Sequence, residues 1–218
     1  VNKTKIEWCD YTWNPITGCL NGCSYCYARR IYQRFKKSFK PKFHYERLSH
    51  PLKVDKPSRI FVCSVSDFWG RGVYPIWRDE VYNVIRACPQ HTFLFLTKQP
   101  QRIRDDKRIP ENCWVGVSVS TNRDWGRPAK LCTKDIDNRF ISIEPLIEKD
   151  DHVTSYFFLA KWIIVGAMTG AGNKKYSPNP KAIKYILDIA KRCKIPVFMK
   201  NNLKPHWSGR LIQQYPEG

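Results

Sequence analysis

The sequence predicts an α/β fold with a mostly parallel sheet, built as a partial, open (βα)6-type TIM barrel. Three observations predict it. Short, almost continuously apolar runs recur along the chain, as strands buried on both faces require. Helical patterns lie between several of these runs. The third is length: 218 residues are too few for a generously built eight-unit barrel, so six or seven βα units in an open barrel fit better.

Taken in order, a short strand is expected near residues 13–17, then a helix over 24–38. The main strands follow as "RIFVCSV" (59–65), "TFLFLT" (92–97), "WVGVSVS" (114–120), "RFISIEPL" (139–146), "WIIVGA" (162–167) and "PVFMK" (196–200). Between them, "PIWRDEVYNVIRAC" (75–88) places Ile76, Val81, Val84 and Ile85 on one helical side. A weaker helical segment covers 121–133. "NPKAIKYILDIAKRC" (179–193) repeats Ile183, Ile186, Leu187 and Ala190 at helical spacing, with Pro180 suited to a helix start. No internal repeat or long linker interrupts the chain, and a single domain over 1–218 is expected. Its two decorations are a basic, aromatic-rich insertion over 29–59 and a C-terminal extension over 201–218.

Composition narrows the class of function. Hydrophobic residues make up 42%, enough for a core, and no apolar run approaches membrane-spanning length. The opening stretch lacks the apolar core of a signal peptide, so a soluble, cytoplasmic protein is expected, monomeric and without a membrane partner. A net charge of +19 implies an anionic partner, with nucleic acid the first candidate and a basic surface serving solubility alone the other reading. The nine cysteines are odd in number, which argues against a disulfide framework. Most of those outside residues 19–26 read as small core residues.

Cys19, Cys23 and Cys26 stand apart, spaced C-x3-C-x2-C. A structural zinc site takes four protein ligands, and no fourth Cys or His follows at a usual spacing. His44 or Cys9 would reach only through a long loop. Three thiolates also suit a four-iron cluster, holding three irons and leaving the fourth open to a small ligand. The zinc reading stays open on spacing alone.

With the aromatic Tyr25 just before the last cysteine, this spacing resembles the signature of radical S-adenosylmethionine enzymes. "TKIEWCDYTWNPITGC" ahead of the triad, "SVSDFWG" after the second strand and "SGRLIQQYP" near the end resemble a family of short radical S-adenosylmethionine proteins often carried by bacteriophages. Cys9 departs from that pattern, standing where a threonine is expected. The resemblance implies a partial barrel of about six βα units and a [4Fe–4S] cluster on Cys19, Cys23 and Cys26, the candidate catalytic and metal-ligating residues. It implies reductive cleavage of S-adenosylmethionine to a 5′-deoxyadenosyl radical, which abstracts hydrogen from a substrate. An external electron donor such as flavodoxin or ferredoxin and a location in phage-infected host cytoplasm follow from the same resemblance.

Candidate cofactor-binding residues lie at strand ends, where such folds gather ligands. The "GGE"-like turn common in these enzymes is missing, and Ser64, Ser66 and Asp67 could do its work. Thr97 and Lys98 face the same end, with Lys98 suited to a methionyl carboxylate. Ser118 and Ser120 share a face by the period of two, and suit ribose hydroxyls or a carboxylate. Glu144 could accept from a ribose diol, Gly166 permits close backbone approach, and Tyr25 borders the adenine. No phosphate-loop lysine pattern accompanies the "GAMTGAG" glycines, so nucleotide hydrolysis is rejected.

The candidate substrate contacts are Arg29, Arg30, Lys200, Asn201 and Asn202, with further basic residues at Lys174, Lys175, Lys204 and Arg210. In the insertion, Tyr32, Phe35, Phe39, Phe43 and Tyr45 interleave with lysines and arginines, a pattern for phosphates and unpaired bases. The expected function is therefore radical modification of a nucleobase substituent in DNA, isomerisation included. The alternatives are the same chemistry on a small molecule, nucleotide or RNA, and a non-enzymatic metal-containing nucleic-acid-binding protein.

Overall fold

Tyr11–Trp13 (β2), Arg59–Val62 (β5) and Thr92–Thr97 (β6) run parallel in the first of two compact units, spanning 1–115, so their carboxyl ends share one edge. The structure is a computed structural model that describes residues 1–104, 106–147, 157–169 and 176–216. Lys174 and Lys175 lie outside the described residues. Asn2–Lys3 (β1) adds an antiparallel edge to β2. Ile60, Val62, Phe93 and Phe95 are all buried, as β-branched and aromatic residues of a covered parallel sheet should be.

The stretch expected as one strand over 13–17 is two. Asn14 and Pro15 end β2, and Ile16–Thr17 (β3) turns away to pair antiparallel with Lys42–Phe43 (β4) of the insertion. The helix expected over 24–38 is shorter, Tyr27–Arg34 (α1). The Cys26 Sγ caps its start by accepting from the Arg29 N–H, and Lys36, at a φ of 51°, lies beyond its end. Pro75–Arg86 (α2) opens on Pro75 as its first helical residue. Its buried face is Arg78, Val81, Tyr82 and Ile85, while Ile76 is exposed, contrary to the apolar pattern. That pattern overlooked a tyrosine and an arginine that bury their bulk on the core side.

The second unit spans 116–218. Cys113–Ser118 (β7) carries the chain into it. Arg139–Ile143 (β8), Trp162–Val165 (β9) and Val197–Met199 (β10) are parallel neighbours there, again with their carboxyl ends on one edge. Gly126–Cys132 (α3) and Pro180–Arg192 (α4) supply the helices; Asn179 Oδ1 caps α4 by accepting from Lys181 N at 3.0 Å. Ala182, Ile183, Ile186 and Ala190 are the buried stripe of α4. The C-terminal extension runs beside β10, with Met199 N donating to Ile212 O at 2.7 Å and Gln214 N to Val197 O at 2.8 Å. Among the described residues no helix is long and apolar enough to cross a membrane.

Candidate functional site

The carboxyl edge of β2, β5 and β6 is where the predicted residues of the first unit meet. The cysteine loop leaves β3 through Gly18, which takes a φ of 83°; a Cβ there would fall 2.2 Å from Lys40 O, so glycine is required on both counts. Two backbone bonds hold the loop: Gly18 N to Val65 O at 3.2 Å and Cys19 N to Phe39 O at 2.9 Å. Ser66 Oγ donates to Gly18 O at 2.6 Å, and Ser64 Oγ donates to Asn14 Oδ1 at 3.2 Å. Both hydroxyls predicted to meet a cofactor thus tie the turn after β5 to the segment entering the loop.

Asp67 is the hub of this edge. It is buried, 4% exposed, and its carboxylate accepts four hydrogen bonds. Thr97 Oγ1 reaches Oδ1 at 2.7 Å and Trp69 N does so at 3.3 Å; Lys98 N and Asn21 Nδ2 reach Oδ2 at 2.9 and 2.8 Å. Gln99 Nε2 in turn donates to Asn21 Oδ1. One carboxylate therefore fixes the ends of β5 and β6 against the cysteine loop, and a buried carboxylate with four donors is well satisfied. Asn14, Asn21 and Gln99 were missed by sequence reasoning. Asn14-Pro15 and Asn21-Gly22 are turn-forming pairs, which is the signal that marks the first two.

Arg29 was expected to face substrate. Its guanidinium instead reaches back to Cys19 O at 3.2 Å and lies over the Phe39 ring, 5.6 Å from the centroid, so it braces the loop. Arg30 is exposed and touches Ser24 O at 3.5 Å. Lys98 Nζ sits over the Tyr25 ring at 5.7 Å, bringing together two residues predicted for one ligand.

All nine cysteines are free thiols. Cys19 Sγ accepts from Asn21 N and Cys26 Sγ from Arg29 N, each at 3.4 Å. Burial pushes the Cys19 thiol up to about 11; the nearby Asp67, Cys23 and Cys26 push the same way, against the pull of the Asn21 N–H. The donor set fits an iron–sulfur cluster in kind: three soft thiols within eight residues, mutually felt, two already receiving backbone N–H groups. Among the described residues, no three His, Cys, Asp or Glu side chains are gathered as metal donors. Cys9 is buried, with its thiol directed at Ile6 O at 3.8 Å, the setting of a packed core residue.

The second unit has its own polar group at the carboxyl edge of β8, β9 and β10. Glu144 follows β8 and Lys200 follows β10, and Oε1 and Nζ lie 2.5 Å apart. Ser142 Oγ donates to Glu144 Oε2 and Ser120 Oγ to Glu144 O, both at 3.3 Å. Ser118 and Ser120 are buried. The Arg127 guanidinium donates to Ser118 O at 2.6 Å and pairs with Asp124, whose Oδ2 accepts from Ser120 N. Asn202 is engaged with Ala167 through both amide atoms, at 3.0 and 2.8 Å, while Asn201 is exposed.

Three comparisons set this geometry beside known proteins. A family model described as "Protein of unknown function (DUF5131)" matches residues 3–210. No curated protein matches the chain in sequence. Structures of spore photoproduct lyase are similar in fold: a cysteine-to-alanine mutant (TM-score 0.59, 14% identity), a double mutant with bound AdoMet and dinucleoside spore photoproduct (0.58, 12%) and the complex with dinucleoside spore photoproduct (0.55, 12%). Each alignment covers 80% of this chain and 61% of the lyase chain, so this chain matches about three-fifths of the lyase's length. The likeness shows the fold class expected from sequence, α/β with a mostly parallel, open sheet.

Proposed function

The chain belongs to the DUF5131 family, and we propose that it is a radical S-adenosylmethionine enzyme acting on a nucleobase substituent in DNA, isomerisation included. The observation that carries this is a three-thiol loop, with no fourth cysteine or histidine at a usual ligand spacing, seated at the carboxyl edge of parallel strands. The fold is that of a lyase solved with AdoMet and a dinucleoside photoproduct, which supports the choice of both cofactor and substrate class.

Cys19, Cys23 and Cys26 would hold the [4Fe–4S] cluster, which when bound supplies the electron that splits S-adenosylmethionine reductively. An external donor such as flavodoxin or ferredoxin would supply that electron. Asp67, through Asn21, keeps the loop closed on the strand ends, and Arg29 holds the Cys19 carbonyl. Tyr25 and Lys98 present a ring face and a cation for a ligand with an apolar, flat part and a carboxylate. In the second unit we assign recognition of a polar ligand group to Glu144 and Lys200, with Ser118, Ser120 and Gly166 shaping their surroundings.

Anaerobic reconstitution with iron and sulfide tests the reading. We expect about four irons per chain, broad visible absorption and 5′-deoxyadenosine from S-adenosylmethionine under reduction. Replacing any one of the three cysteines by alanine should abolish product, while Cys9→Ala and Cys193→Ala keep it. Zinc alone, without 5′-deoxyadenosine, would establish a non-enzymatic metal protein instead. Mass spectrometry of nucleosides from DNA, with and without the gene, then identifies the altered base.

A further inference from the structure

The insertion and the start of α2 build a row of four aromatic rings. Tyr45 packs edge-on against Phe43 at 4.6 Å, Phe43 stacks on Trp77 at 5.5 Å with the planes 11° apart, and Trp77 meets Tyr74 edge-on at 4.9 Å. The inner pair, Phe43 and Trp77, is partly covered. The outer pair is open to solvent, Tyr45 at 66% and Tyr74 at 60% exposure. What sets the two apart from singly exposed rings is that the row joins them into one contiguous aromatic surface, the kind that a partner covers.

The row is rigidly mounted. Phe43 belongs to β4, which pairs with β3; His44 N donates to Pro15 O at 2.8 Å, and the His44 ring meets Thr17 Oγ1 at 2.9 Å. Trp77 belongs to α2, and its N–H donates to Tyr74 O. A ring platform that does not have to order itself loses less on binding.

The insertion half of the row sits in a strongly basic segment. The insertion carries eleven lysines and arginines over 29–59, against Glu46 and Asp55. Glu46 is engaged by His44 at 3.0 Å and by Arg47 at 3.7 Å, and Asp79 of α2 is paired to Arg108 at 2.7 Å. Lys40 and Lys42, which precede the rings in the chain, are exposed. Exposed cations in the same segment as open aromatic rings suit a single strand of nucleic acid, phosphates for the charges and unpaired bases for the rings. A duplex keeps its bases stacked inside and offers the rings nothing.

We infer that the Tyr45–Phe43–Trp77–Tyr74 row is a docking platform for single-stranded nucleic acid, with Tyr45 and Tyr74 each stacking one base. The inference rests on the proposed function only in supplying a reason for a nucleic-acid substrate; the platform stands or falls by itself.

The test is anisotropy of a labelled 12-nucleotide oligo(dT), the same length of oligo(rU) and a 12-base-pair duplex, at low and moderate salt. We expect the single strands to bind at least tenfold more tightly than the duplex, and affinity to fall with salt. Tyr45→Ala and Tyr74→Ala should each weaken binding roughly 5- to 100-fold, the size expected for one stacked base. Tyr45→Phe and Tyr74→Phe, which keep the ring, should bind like the unaltered protein, and circular-dichroism melts confirm that each variant folds. A preference between oligo(dT) and oligo(rU) supports the platform and names its ligand. A folded Tyr45→Ala/Tyr74→Ala variant with unchanged affinity, or tighter binding to duplex, overturns the inference. Neither result touches 5′-deoxyadenosine production, so failure here and failure of the radical chemistry are read separately.

Discussion

Glu144 and Lys200 close an ion pair of 2.5 Å around Gly166, the residue that follows β9. A Cβ on Gly166 would stand 2.7 Å from Glu144 Oε1 and 2.9 Å from Lys200 Cδ, so this glycine is required for space rather than for backbone angle. Both side chains are mostly buried, 19% and 18% exposed.

Gly166→Ala should therefore force the pair apart and cost about 1–3 kcal/mol, read by denaturant unfolding. Removing one charge leaves the other poorly solvated, so Lys200→Met should destabilise more than Glu144→Gln/Lys200→Met together. Strictly additive single and double variants would show that the two charges do not act as a pair.

The four-donor carboxylate of Asp67 makes a second expectation. Asp67→Asn puts an N–H₂ group where two donors already point, at a cost of roughly 2–4 kcal/mol. The loss should reach the cysteine loop through Asn21 Nδ2, so iron loading should fall as well. Asn21→Ala tests that route alone. Full iron loading in both variants would mean that the loop holds its shape without Asp67.

Cys63 gives a pH dependence. It is fully buried at a φ of 60°, and burial pushes its thiol from 9.0 up to about 12. Above pH 9 the unfolded chain sheds this proton and the folded one keeps it, so the unfolded state binds fewer protons and stability falls as pH rises. The loss should run from about pH 9 towards 12, and Cys63→Ala should make it shallower in thermal melts across that range, the raised thiols of Cys19 and Cys113 keeping the remainder. The exposed Cys193 should alkylate first at pH 8, and Cys63 only after unfolding. Early labelling of Cys63 would contradict its burial.

Much of the fold was legible because apolar runs with strong β-formers are local signals. The run 92–97 is β6 to the residue, and 179–193 is α4 with its Asn179 cap. Ends were harder. The run 59–65 loses its last residues because Cys63 turns into the left-handed region, and 139–146 stops before the Glu144–Pro145 bond. At the site, the cysteines and strand-end polar residues were readable from spacing. Their division of labour was not. Asp67, Ser66 and Arg29 look like ligand residues in the sequence, yet each engages a partner within the protein, and apart from Trp69 N those of Asp67 and Ser66 lie 30 to 48 residues away. Such long-range pairs leave no local periodicity to read. In the insertion, Tyr32 and Phe39 pack on each other, so only part of the aromatic series faces outward.

The bond from Cys19 N to Phe39 O has a bearing on how the protein can change over time. It joins the start of the cysteine loop to the insertion's backbone rather than to any side chain, and Gly18 lies hard against the neighbouring Lys40 carbonyl. Side chains of the insertion other than Arg29 and Phe39, which brace the loop, can therefore be exchanged without altering this contact. Shortening or lengthening the chain between Cys26 and Phe39 cannot, because it would shift the carbonyls themselves. At this contact the insertion tolerates a change of side chain better than a change of length.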